Sequence, residues 1–461
     1  MNKLIPVFAM AMTLMVYGCS EEKNGAEEVS QPEQQAQDKS TVAATDSSQP
    51  DADRNAEESQ AVVLLSGLPT LDTKDSIAIV ELDPESEDFG NIIYEYPLPK
   101  YDAPLHHLYY SPNGRLYATG LGTECSLAEI GLVRNAQAEP QITGVNCLDT
   151  QGQQVGEDIM WHSVNGKNYM FVTFMGGTGV SQEDAGSIGV FDPQSNEIIK
   201  IIEARKSQLD EGEPYLLYPH GISAYGDRMV VTSTVHPDLS TGVGNAVTII
   251  DLNTLEPIEN IVIEDSKPVG FPSSPVEVLF VRPSIVPDAE PAVLVNTMFG
   301  FETWKIPYNE ADKTFGKPEK LYDGATAGTG VPLEFYGNET EMFISHAVPG
   351  VVKRYDLQKL PDLVSSGADI ETEPGAHHII FYKSASGREL IAVQNNLLNL
   401  GNAEDNDPTD VDFIAKVNAH SVTVHDLKSG EKLATVNFKD KYQKGIDNIE
   451  SLFGSGFVHH H

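Results

Sequence analysis

The chain has 461 residues, 40% hydrophobic and 8% aromatic, with 68 acidic side chains against 30 basic ones and a formal net charge of −38. A body this acidic repels nucleic acid and anionic headgroups, which excludes nucleic-acid binding. The length holds two or three ordinary domains or a single repeat fold, so repeats decide the domain count.

Residues 1–18 start with Lys3 and run apolar from Leu4 to Tyr17, too short to span a bilayer as a mature helix. That pattern is a secretory signal. Gly18-Cys19 sets a small residue before a cysteine, as in a bacterial lipobox. Acylation of Cys19 would anchor the chain by lipid in a bacterial cell envelope, facing the periplasm or the cell surface. A plain signal peptide with an incidental cysteine is the alternative. Residues 19–60 lack aromatics and are rich in Glu, Gln, Ser, Ala and Asp, so they read as a disordered acidic tether that cannot bury enough surface to offset its ordering entropy.

After the tether, Ala61-Val-Val-Leu-Leu65, Ser76-Ile-Ala-Ile-Val80 and Asn91-Ile-Ile-Tyr94 are short apolar strands between Pro, Asp and Gly clusters. The first complete unit then begins at Pro104-Leu-His106-His107, passes a Pro112-Asn113-Gly114 turn and returns through Arg115–Gly120. Cys125 and Cys147 follow on neighbouring predicted strands, either bridged in an oxidising compartment or as two separate buried thiols. With no C-x-x-C pair, neither reads as a nucleophile. Weaker copies of the unit open at Asp158, His220, Glu277 and Glu334, and a close copy opens at Gly375-Ala-His377-His378. Four strands per unit with a polar-headed first strand predict an all-β propeller over residues 61–458. Six first strands are visible, and Gly445–Phe453 can supply the one missing from the N-terminal block. That closes seven blades in a ring with N- and C-terminal strands in one blade.

In such a ring the first strands line the channel, so His106, His107, Asp158, His220, Glu277, Glu334, His377, His378 and Asp447 converge at one mouth. Imidazole and carboxylate suit copper, zinc or iron, and strands from different blades can supply several ligands with a position left open. His106, His107, His220, His377, His378 and Asp158 are therefore the candidate metal ligands. Neighbouring strand residues point to opposite faces, so only one histidine of each pair is expected to reach the channel. The plain alternative is that these histidines cap strands and bond to carbonyls or carboxylates. His162 and His346, further along their strands, read as structural, His236, His420 and His425 lie in loops or outer strands, and His459-His460-His461 read as a native metal-binding tail, a tag remnant or neither. The acidic run Asp405–Asp412 fails the EF-hand template and reads as a solvated loop. No nucleophile elbow, P-loop or dinucleotide fingerprint occurs.

Leu105-His106-His107, Pro275–Val281 with Phe301-Glu-Thr-Trp304, Met342–His346 through Val352–Leu357, and the Gly375 hairpin together resemble the selenium-binding protein family, whose bacterial members include copper-dependent periplasmic methanethiol oxidases. The resemblance spans most of 104–438. It implies a seven-bladed propeller with a histidine-bound metal at the channel mouth, copper ahead of zinc or iron, with His106 and His107 carried over directly and His162 matching a further family histidine. Where the family has a cysteine pair after its His-His motif, this chain has Tyr110-Ser111-Pro112, and the family's C-terminal histidine falls at Asp447 or Asn448. Thiol-based selenium binding lacks its residues here. Two functions follow as expectations: an envelope-anchored oxidoreductase of small sulfur compounds, or a non-catalytic propeller binding a protein or small ligand.

Overall fold

Short runs of β-branched and aromatic residues, broken by turn residues, fold here into antiparallel ribbons of four. The computed structural model describes residues 59–67, 73–99, 104–135, 138–176, 185–204, 212–236, 242–264, 272–287, 289–397 and 418–453. These form seven antiparallel sheets, each a propeller blade. The signal segment 1–18, Cys19 and nearly all of the tether, the acidic run 405–412 and the terminal histidines lie outside the described residues.

The innermost strands are Leu105–Tyr110 in blade 2, Gly156–Val164 in blade 3, Pro219–Tyr225 in blade 4, Pro275–Val281 in blade 5, Gly330–Gly337 in blade 6 and Ala376–Lys383 in blade 7. Blade 1 takes its innermost strand from the other end of the chain: Lys444–Ser451 pairs antiparallel with Gln60–Gly67, then Ser76–Glu81 and Ile92–Pro97 follow outward. Closure by the two termini therefore removes the edges that an open sheet would leave. A short helix, Phe438–Tyr442, turns the chain into that strand, capped by Asn437, which accepts from the Asp440 amide.

Position in the blade decides the hydrophobic pattern. Second strands are covered on both faces and read as continuous apolar runs, as in Ala292–Thr297, where every residue is buried. The outer strand Ile92–Pro97 has exposed residues at every second position. Apolar side chains from neighbouring blades interdigitate to form the core, as where Val63, Leu65 and Ile446 of blade 1 pack with Ile380, Leu390 and Val422 of blade 7. Cys125 and Cys147 of blade 2 are joined as a disulfide with Cα atoms 5.4 Å apart. Replacing both with serine is expected to cost about 3 kcal/mol on the loop-entropy estimate, measurable as a lower urea midpoint, with a steeper slope as the uncrosslinked unfolded chain expands.

Candidate metal centre

Each innermost strand carries the same irregularity at its head. In blade 2, Leu105 pairs with Gly120 and Leu108 with Ala118, so His106 and His107 together face the single residue Thr119. The same two-against-one bulge falls at Glu157-Asp158, His220-Gly221, Val276-Glu277, Leu333-Glu334 and His377-His378. In blade 1 the register shifts at Asp447. A bulge leaves its extra residue unpaired and re-aims side chains. That corrects the expectation of one channel-facing histidine per pair. The rings of His106 and His107 stack with centroids 4.2 Å apart, and those of His377 and His378 stack at 3.8 Å.

In blades 2, 3, 4, 5 and 7 the polar residue that faces the bulge clasps the head of the following blade. Thr119 Oγ1 donates to Glu157 O (2.7 Å), Thr173 Oγ1 to His220 O (2.6 Å) and Thr232 Oγ1 to Val276 O (2.9 Å). Asn296 Nδ2 donates to Leu333 O, and Gln394 Nε2 reaches Ile446 O at 2.9 Å. Every one of these bonds runs from one blade to the head of the next. The mouth is thus set by backbone carbonyls held between blades, and the head side chains are what it displays.

What it displays is two unequal groups. Blades 2 and 7 present four imidazoles: His107 lies 4.9 Å from His378 and 5.9 Å from His377, and His106 lies 6.0 Å from His377, centroid to centroid. Ligand atoms of His107, His377 and His378 lie within 4.8 Å of one another, and so do those of His106, His107 and Glu157. Blades 3 to 6 present carboxyls around one more imidazole. His220 Nδ1 is 2.9 Å from Glu277 Oε1, its Nε2 is 3.5 Å from Glu157 Oε2, and His377 Nε2 is 3.7 Å from Glu334 Oε1.

Burial and mutual repulsion set the charge state. Burial first, then the carboxylates Glu277, Asp158 and Glu334, push Glu157 up to about 7 against the favourable pull of His220. Burial and Glu334 raise Asp158 to about 7, and they raise Glu277 well above the usual carboxylate range. Burial and the neighbouring imidazoles hold His106 and His107 well below the ordinary histidine value, hence neutral near pH 7. Neutral imidazole is the form that ligates a metal. One of its two nitrogens, His107 Nε2, is buried without a hydrogen-bond partner.

The candidates named from sequence take different places in this arrangement. His106, His107, His377 and His378 come together, and His220 adjoins them through His107 at 6.2 Å. Asp158 turns aside: its Oδ1 accepts from Ile159 N (2.8 Å) and its Oδ2 from Ile222 N (3.0 Å). His162 sits at the other end of its strand, bonded to Gly226 O at 2.8 Å in the far-side turn of blade 4. Sequence reasoning missed Glu157, Tyr109 and Tyr336. Glu157 escaped because strict alternation allows only one residue of Glu157-Asp158 to face the channel, and the tyrosines because they resemble core aromatics. Tyr109 OH lies 2.8 Å from His107 Nδ1, and Tyr336 OH lies 3.1 Å from His378 Nδ1.

No family model and no curated protein matches the chain. Among solved structures, a hypothetical selenium-binding protein from Sulfolobus tokodaii is similar over 87% of this chain and 95% of its own, with 16% identity and a TM-score of 0.56. The likeness is one of fold. A putative 6-phosphogluconolactonase from Bacteroides uniformis (11% identity, covering 87% and 100%, TM-score 0.46) and apo AztD from Citrobacter koseri (12%, 87% and 99%, 0.43) are more distant.

Proposed function

We propose that this chain is an envelope-anchored propeller that binds a transition metal at the channel mouth and uses it to oxidise a small sulfur compound. The observation that carries the metal reading is the convergence of four buried imidazoles from two bulged His-His pairs, with the ligand atoms of His107, His377 and His378 within 4.8 Å of one another. The donor set fits. It is rich in neutral nitrogen and free of thiolate among the described residues, and among divalent ions such a site holds copper most tightly, with zinc and iron behind. When bound, copper would supply the redox chemistry that none of these side chains can perform. The chain's own residues would hold the metal through His106, His107, His377 and His378, while Glu157, Glu277 and His220 would exchange protons beside it. The sulfur substrate comes from the sequence resemblance, and methanethiol is its simplest member. The balanced reaction takes methanethiol, dioxygen and water to formaldehyde, hydrogen sulfide and hydrogen peroxide. The signal segment and Cys19 support a lipid anchor in the cell envelope, periplasmic or surface-facing.

Metal analysis of the purified chain beside a His106→Ala/His377→Ala variant tests the site. Both proteins carry the terminal histidines, so the difference between them reports the channel. About one copper or zinc per chain, lost in the variant, is the expected result; equal metal in both would overturn it. With copper bound, peroxide and formaldehyde from methanethiol are expected. Their absence from a copper-loaded protein would leave the binding scaffold as its function.

A further inference from the structure

We propose that Tyr109, anchored by Asp158, is a positioning residue that fixes the tautomer of His107 and leaves Nε2 as its metal-donor atom; this rests on the metal reading of the mouth. Tyr109 stands two residues beyond His107 on the same strand, where the ladder has resumed after the bulge. Its ring meets the imidazole edge-on, and its hydroxyl lies 2.8 Å from Nδ1.

The direction of that bond follows from the other neighbours. On blade 3 the hydroxyl faces Glu157 O at 3.4 Å and hydrogen-bonds the Asp158 carboxyl. A carbonyl oxygen only accepts, and so does the ionised carboxylate of Asp158, whose oxygens also receive the amides of Ile159 and Ile222. Tyr109 has a single proton, and blade 3 takes it. Its oxygen then accepts the Nδ1–H of His107. A neutral imidazole carries one N–H, so Nε2 keeps its lone pair. This is the relation that outer groups bear to ligating histidines generally, fixing tautomer and ring orientation. It also gives Asp158 a role at the mouth without making it a ligand.

The test is histidine nitrogen NMR on the metal-free full chain, with copper affinity by chelator competition, for the wild type, Tyr109→Phe and Asp158→Asn, each checked for folding by circular dichroism. In the wild type His107 is expected to be protonated at Nδ1. Tyr109→Phe removes the acceptor, and Asp158→Asn can offer an N–H to Tyr109 in place of an acceptor. Both are expected to shift His107 toward the Nε2–H form and to weaken copper by roughly 10- to 100-fold. A wild-type His107 protonated at Nε2 overturns the proposal whether or not the variants fold. So does a folded Tyr109→Phe with unchanged tautomer and affinity. If the Nδ1–H form is present and lost in the variants but no protein binds copper, the positioning stands and the metal reading falls.

Discussion

Ending the chain at Gln443 is expected to abolish cooperative folding. The deleted strand, Lys444–Ser451, forms the inner edge of blade 1, and its pairing with Gln60–Gly67 is all that joins the two ends of the ring within one sheet. With it go the buried side chains of Ile446 and Ile449, and Leu452 just beyond. At about 2 kcal/mol for each fully buried aliphatic side chain, the loss is on the order of 6 kcal/mol, against roughly 5–15 kcal/mol for a whole domain. Further contacts fail with it. Gln394 loses the Ile446 carbonyl, and Leu452 O no longer receives Tyr110 OH (2.8 Å) and Arg134 Nη1 (2.8 Å) from blade 2. Calorimetry of the truncated chain should show no sharp transition, and a peptide covering 444–453 added in trans should restore one. A transition within a few degrees of the intact protein would show that the ring does not depend on its closure.

The second large effect is a pH-dependent gain from Glu157→Gln in the metal-free protein. An unfolded glutamate ionises near 4.5, and the folded state delays this to about 7. Between those values the folded protein holds a proton that the unfolded chain has lost, so this group's contribution to stability falls as pH rises and is fully lost above about 7. At 1.36 kcal/mol per unit the loss is about 3 kcal/mol. Glutamine does not titrate. The variant should therefore gain about 3 kcal/mol on the wild type between about pH 4 and about pH 8, read from urea unfolding. His106 and His107 act with the opposite sign: they stay neutral when folded, so stability falls as pH drops below the unfolded value of 6.5. Both proteins share that loss, which cancels in the difference. Parallel stability curves across this range would mean that the Glu157 carboxyl ionises freely at the mouth.

The propeller was legible because each blade advertises its first strand twice, with a polar head and with a turn at its far end. Even the strand borrowed from the C-terminus could be anticipated, since the N-terminal block lacks a polar-headed strand and Gly445–Phe453 has no sheet of its own. The site was legible as a set of residue types and misread in its geometry. Alternation sends one histidine of each pair to the wrong face because it assumes an unbroken ladder, and no residue in Leu105–Leu108 announces a bulge. The threonines, asparagine and glutamine that clasp the bulges lie on second strands, where they look like ordinary β-formers or lapses in an apolar run. Their partners are carbonyls one blade away, and a carbonyl has no signature in sequence. Asp158 was named for the right neighbourhood, but the amides of Ile159 and Ile222 that its oxygens accept from are visible only in the structure.

Because second-strand residues grip main-chain carbonyls, the mouth of the channel is a socket whose contacts can be exchanged without rebuilding the frame. Val276 and Leu333 stand at the bulge position that holds His106 in blade 2 and His377 in blade 7, and their carbonyls are clasped by Thr232 and Asn296 of the preceding blades. Those two positions carry hydrocarbon, and the paired imidazoles stand close together on blades 2 and 7. An engineer who wrote histidine there would inherit prepared backbone.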